Sequence, residues 1–312
     1  MKLVDYRKKA YLKIFRRQVE LIDAKRSSGN PKGYNKYFKK VLHALQPDFI
    51  NATQTLKLNQ STLNKNSKLL NNIYVMWWQG MDNAPALIIN NIKRMKRIFG
   101  KDNVHIITEK NWRQYCSIPN TIIEKFNVGK VSIAALSDII RFNLLKEHGG
   151  LWIDSTVILN NKCKDILARY NDNGFFTISN FEQDYHFISK SRWTAWFIGG
   201  KAGYPLFEFA TAFYSKYFEN HDFLLDYYTI DDIIAYFYIN NAEFKNDIDR
   251  ISYNWNPYLW SNNMYGSYDR QLIKEFEHKD RYSIQKFTYK YDQKYADDTN
   301  SLIYFILNSK NY

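Results

Sequence analysis

The chain has 312 residues, 45% of them hydrophobic and 24% charged, with 12 Gly, 6 Pro and 2 Cys. That apolar content in that length supports a sizeable core and excludes a disordered chain or a small disulfide scaffold. No run of about 18 apolar residues is present, which excludes a spanning helix. The basic start Met1-Lys2-Leu3-Val4-Asp5 lacks the apolar region of a secretory signal. Cys116 and Cys163 are isolated and suit two ordinary thiols in a cytoplasmic protein.

The formal charge of +13 is unevenly placed. Residues 1–45 hold thirteen Lys or Arg against three acids, Asp5, Glu20 and Asp23, which leaves +10 in that segment and +3 in the rest. Val4, Tyr11, Ile14, Phe15, Val19 and Ile22 recur there at three- and four-residue steps, the periodicity of a helix. A basic amphipathic helix lies on an anionic membrane surface or packs on its own domain. Nucleic acid is not expected, because no reading motif accompanies the charge.

In chain order, Gly29-Asn30-Pro31-Lys32-Gly33 breaks the first helix, and a second is predicted over 34–45. Residues 51–72, rich in Asn, Gln, Ser, Thr and Lys, read as a connector, so 1–72 is a basic helical extension and 73–312 the organised domain. Strands are predicted at Ile73–Trp78, Val104–Ile107, Leu151–Ile153, Phe175–Ser179 and Trp196–Gly199. Helices are predicted from Pro85 to Gly100, over Ile122–Val128, from Val131 to His148 and over about 204–219. Strand–helix alternation implies an α/β, Rossmann-type, mainly parallel sheet with flanking helices. Residues 222–312 are aromatic enough to be packed, and their order is not legible.

Chemistry concentrates in Ser137-Asp138-Ile139-Ile140-Arg141 and Gly149-Gly150-Leu151-Trp152-Ile153-Asp154-Ser155-Thr156. A helix places Asp138 and Arg141 on one face. The strand after the two glycines delivers Asp154 at its carboxyl end, where open α/β sheets bind ligands. A carboxylate suits ribose hydroxyls or a divalent metal, and an Arg fork suits phosphate or sugar. Each residue alone is also an ordinary ion pair or cap. The six His residues show no metal spacing, and phosphate-loop, dinucleotide and serine-hydrolase motifs are absent. Tyr253 to Trp260 is an aromatic cluster that either packs or offers Trp255 and Trp260 as a sugar-stacking platform for the acceptor.

Ser137-Asp138-x-x-Arg141 with Gly149-Gly150-x-Trp152-x-Asp154-x-Thr156 closely resembles the capsular polysaccharide synthesis glycosyltransferases. These are relatives of the DXD-containing sugar transferases with a GT-A fold, a group that includes the large glucosylating toxins. Trp77-Trp78-Gln79-Gly80 with Pro85, Ser191-Arg192-Trp193, Asp226-Tyr227-Tyr228 with Asp231, and Ile284 to Lys290 resemble flanking signatures over about 73–291. The resemblance implies a GT-A-like domain that moves a sugar from a nucleotide-sugar donor, UDP-linked in preference, to a growing and lipid-linked surface glycan. Retention of anomeric configuration is implied as well. Trp77, Trp78 and Gly80 then meet the nucleobase, Asp138 and Arg141 the ribose or sugar, and Asp154 with Thr156 the diphosphate. Asp154, Asp138 and Arg141 are the implied catalytic set.

One departure from the pattern stands at Thr156, which replaces the second Asp of DXD. A neutral hydroxyl is a weaker ligand for a hard cation than a carboxylate. Mn²⁺ or Mg²⁺ is therefore held through Asp154 with Thr156 or Asp231, or else Lys or Arg supplies the charge at the leaving diphosphate. Asp184, His186 and Asp231 are the acceptor-base candidates, and Asp232 a further remote acid. The expected location is the inner face of the cell membrane, reached through residues 1–45. The competing class is a non-catalytic basic protein that binds membrane or nucleic acid and keeps a retired sugar-nucleotide fold.

Overall fold

Five strands form the central sheet in the order β2-β1-β3-β6-β5 within a computed structural model that describes residues 2–25, 31–58, 63–64, 66–251 and 255–308. The chain runs α1 (Lys2–Ala24), α2 (Pro31–Leu58), β1 (Ile73–Met76), α3 (Ala86–Phe99), β2 (Val104–Ile107), α4 (Asn120–Asn127), α5 (Ile133–His148), β3 (Gly150–Ile153) and β4 (Val157–Leu159). It continues with α6 (Cys163–Ala168), β5 (Phe175–Thr177), β6 (Phe197–Gly200), α7 (Pro205–Asn220), α8 (Thr229–Asn240), α9 (Ala242–Asp249) and α10 (Leu259–Asn263). Last come α11 (Arg270–His278), β7 (Ile284–Lys286), α12 (Gln293–Ala296) and α13 (Leu302–Asn308).

Strands β1, β2 and β3 are parallel, whereas β6 is antiparallel to both β3 and β5. Four of the five therefore share one direction, a mixed α/β sheet of Rossmann-like character. Alternation along the strands divides the core. Tyr74 and Trp152 face the layer that includes α2, α5, α7 and α8, while Ile73, Val75, Leu151 and Ile153 face α3 and α6.

The turn that delivers the site is built on two glycines. Ser132 caps α5 by accepting from the Ala135 N–H, and Gly149 ends it with a left-handed φ of 65°. Gly150 follows at φ 107°, and a Cβ there would lie 2.3 Å from the Asn72 carbonyl oxygen. Only glycine lets α5 fold straight back into β3.

The N-terminal segment departs from expectation. Helix α2 does not stop near Leu45 but runs through Pro47 to Leu58. A proline inside a helix costs about 3 kcal/mol. Val41, Leu45, Phe49 and Ala52 are fully buried beyond and before it, and each large apolar side chain contributes about 1.5–3 kcal/mol on burial. The buried stripe wins. Phe49 stacks on Tyr236 at 4.2 Å and lies 4.9 Å from Phe213, so α2 shares one core with α7 and α8. Leu69 is also fully buried, its N–H donating to the Asn171 carbonyl. Helix α2 and Leu69 thus pack into the cores that the sheet and its helices share. The breaker at Gly29-Asn30 lies outside the described residues.

The C-terminal region, unreadable from sequence, completes the same body. β7 pairs antiparallel with β4, register Val157 to Lys286, while Trp260, Phe276 and Leu302 pack with Leu87 of α3 and Ile158 of β4. No helix among the described residues is long and apolar enough to cross a membrane.

Candidate active site

β3 ends at Ile153 and leaves Asp154 at the carboxyl edge of the sheet, beside the end of β1. The peptide geometry after it is fixed. Asp154 N–H donates to the Trp196 carbonyl, Asn91 donates to the Ser155 carbonyl at 2.9 Å, and Phe287 N–H to the Thr156 carbonyl. Asp154 Oδ1 accepts from Trp152 Nε1 at 2.9 Å and Arg141 Nη2 at 3.3 Å, while Oδ2 accepts from Lys286 Nζ at 2.5 Å.

The helix α5 supplies the rest. Arg141 Nη1 lies 3.1 Å from Asp138 Oδ1, one helical turn away, and its guanidinium sits 4.8 Å from the Trp152 ring centroid. One Arg therefore bridges the two predicted carboxylates. The side chains of Arg141, Asp138 and Asp154 are 6%, 16% and 27% exposed, the profile of a crevice rather than a sealed core.

Asp231, in the first turn of α8, joins them electrostatically. Its Oδ1 accepts from Trp193 Nε1 at 2.9 Å. Burial pushes its carboxyl up to about 6, against the pull of Trp193 and Arg141. Burial likewise raises Asp138 to about 7, with Arg141 opposing and Asp154 and Asp231 adding repulsion. Asp154 behaves oppositely: burial would raise it, but Lys286 and Arg141 hold it below the ordinary range. The crevice thus pairs one firmly ionised carboxylate with two that titrate near neutrality.

The structure brings Asp138, Arg141 and Asp154 together and adds Asp231. Lys286 lies in the Ile284-to-Lys290 signature, to which the sequence assigns no individual role; the signal for one is a cation on a strand paired beside Asp154. Trp77 and Trp78 follow β1 on the same sheet edge and point to opposite core layers, edge-on to Tyr289 and Phe126 respectively. The buried Trp77 indole N–H has no partner. Gly80 adopts φ 82°, with open space where a Cβ would be.

Other candidates go elsewhere. Asp232 is 1% exposed inside α8, and burial raises its carboxyl strongly. Asp184 and His186 bond each other at 2.6 Å, and His186 reaches Asp23 of α1 at 2.8 Å, an arrangement that ties that helix to the 184–186 loop. Trp255 and Trp260 are 6% and 0% exposed, Trp260 lying 4.1 Å from Phe276. Neither offers a sugar an open face, so the packing reading of the cluster holds for them. Tyr253 and Asn254 lie outside the described residues.

The residues do not form a metal centre of their own. Among the described residues no group of three His, Cys, Asp or Glu side chains is placed to hold an ion. Both oxygens of Asp154 are engaged by cations and an indole, and half-buried Thr156 contributes only a neutral hydroxyl. Hard divalent cations want several oxygen ligands, and here a dication would have to displace Lys286.

The model of the capsular polysaccharide synthesis protein family matches residues 23–306. The chain belongs to that family. Its family thus implies a role in capsular polysaccharide synthesis, and the match includes α2 and the C-terminal region as well as the 73–291 stretch that carries the motifs. No curated protein and no solved structure matches the chain significantly.

Proposed function

We propose that this capsular polysaccharide synthesis protein is a glycosyltransferase with a GT-A-like sheet. It moves a sugar from a nucleotide-sugar donor, UDP-linked in preference, to a growing surface glycan on a lipid carrier. One observation carries the reading: a carboxylate at the edge of the parallel strands, held between Lys286 and Arg141, with Asp138 and Asp231 beside it.

A departing nucleoside diphosphate develops negative charge, and preorganised cations at that position lower the barrier. Lys286 and Arg141 are such cations, and Asp154 fixes them in place. Trp77, Trp78 and Gly80 border the same edge, where a nucleobase and its ribose extend. Asp138 faces the ribose or sugar hydroxyls. Asp231, at about 6, is matched to exchange a proton with the acceptor hydroxyl near neutral pH. In same-face attack, which retains configuration, the acceptor approaches beside the leaving diphosphate and gives its proton to ionised Asp231.

The test is release of nucleoside diphosphate when the full chain meets intact nucleotide sugars and a lipid extract carrying glycan primers. Release from one donor that depends on acceptor supports the reading. Release from none of the UDP-, GDP- or CMP-sugars favours the non-catalytic alternative.

A further inference from the structure

Helix α1 carries two apolar stripes, and the fold uses only one. Leu12 and Val19, 3% and 4% exposed, point inward with Phe15 and join the core shared with α2. Leu3, Val4, Tyr11, Ile14, Leu21 and Ile22 are left 44% to 65% exposed. At the helical step these six share a sector about 100° wide on the side away from the core. Arg7 lies within that sector, while Lys8 flanks one border and Lys13 and Arg17 the other; all four are exposed. An apolar sector interrupted only by Arg7 and Gln18 and bordered by cations is the layout of a helix that lies in a membrane interface.

The occupant follows from charge. The first 45 residues carry +10, so a second copy seated on this face would bring like charge against like. An anionic lipid surface takes both the apolar stripe and the cations. The inward side of α1 fixes what such docking presents. Arg16 sits 5.1 Å from the Tyr228 ring centroid. Tyr228 caps α8, and its carbonyl accepts the N–H of Asp231 at 2.8 Å. Asp23, near the other end of α1, holds His186. The helix therefore lies along the rim of the crevice where Asp231 stands.

We propose that α1 docks on an anionic lipid surface through this outer face and turns the Asp231 rim of the crevice toward the bilayer. The docking stands on the geometry of α1 alone. Its consequence, that a lipid-linked acceptor enters at that rim, rests on the transferase reading.

The experiment is co-sedimentation of the full chain with phosphatidylcholine vesicles, with and without phosphatidylglycerol. Wild type is expected to bind when phosphatidylglycerol is present. Ile14→Glu/Leu21→Glu, both at exposed positions, is expected to bind more than about tenfold less while melting as wild type does. Equal binding by the variant overturns the proposal, as does a wild type indifferent to phosphatidylglycerol. A variant that alters oligomer size in light scattering and keeps its lipid binding would make the face a self-association surface instead. Tyr227, 74% exposed beside Tyr228, reports orientation. Both native thiols are buried, so Tyr227→Cys takes a thiol-reactive fluorophore selectively. The label is expected to meet lipid-soluble quencher on vesicle binding, and an unchanged signal removes the orientation. Nucleotide calorimetry on the Ile14→Glu/Leu21→Glu chain is expected to match wild type, which separates failure of docking from failure of the transferase reading.

Discussion

Lys286 Nζ lies 2.5 Å from Asp154 Oδ2 although 132 residues separate them in sequence. The contact depends on the short β4–β7 ladder, which sets Lys286 opposite Val157, three residues past Asp154. Replacement by Ala removes one of the two cations at the proposed diphosphate position. Lys286→Ala is expected to lower turnover by roughly 100-fold or more and to weaken nucleotide binding. Its melting temperature should shift by only a few degrees, because the pair is 23% and 27% exposed and water screens it. Lys286→Arg keeps the charge and should recover part of the binding. Unchanged affinity in Lys286→Ala would make the ammonium a folding contact only.

Asp154→Asn keeps a side-chain oxygen for the Trp152 indole and loses the charge that orients Arg141 and Lys286. Transfer is expected to vanish, with the melting temperature within a few degrees of wild type. Thermal unfolding together with an activity assay checks this. A variant that unfolds would assign Asp154 to structure.

The two elevated carboxyls give a pH dependence with a definite sign. At about pH 5 Asp138 and Asp231 are protonated, and the crevice is at its most cationic. As pH rises through about 6 for Asp231 and about 7 for Asp138, each adds a negative charge beside Arg141. Affinity for a nucleotide sugar, whose diphosphate keeps its charge across this range, should therefore fall between pH 6 and pH 8. Asp138→Asn should flatten the upper part of that decline, read by calorimetry at several pH values. A flat wild-type profile would show that neither carboxyl faces the ligand.

His221 anchors the N-terminal helices. Its ring bonds Asp5 of α1 at 2.8 Å and Asp48 of α2 at 3.1 Å, all three residues being at most 9% exposed. Burial opposes a charged ring, but the bonds to Asp48 and Asp5 outweigh it and raise the imidazole above its ordinary value. Stabilisation from a raised group is complete below its unfolded value of about 6.5 and disappears as pH climbs through the folded one. Amide exchange in α1 and α2 should accordingly speed up on the alkaline side. Asp5→Asn/Asp48→Asn should lose about 1–3 kcal/mol and most of that pH dependence.

The sheet and the Asp138-Arg141-Asp154 grouping were legible because they depend on local signals. Apolar runs marked β1, β2 and β3, helical periodicity marked α3 and α5, and Gly149-Gly150 marked the return. From sequence α2 ends near Leu45, because Pro47 and polar residues 51–58 carry local penalties that tertiary burial of Phe49 and Ala52 overrides. The role of Lys286 was invisible, since β7 is three residues long and its partner lies far back in the chain. Asp231 was one of several scattered acid candidates in the sequence, and only the packing of α8 sets it apart by turning it toward Trp193 and Arg141. The apolar residues of α1 read as one stripe, whereas packing divides them between two faces.

Calorimetric titration of the full chain with UDP, GDP and CMP, each with and without Mn²⁺, tests the central claim most directly. One nucleotide should bind at micromolar strength, keep most of its affinity without Mn²⁺, and lose it in Lys286→Ala. Failure of all three, and of their intact nucleotide sugars, would contradict the assignment of this crevice to a sugar-nucleotide donor.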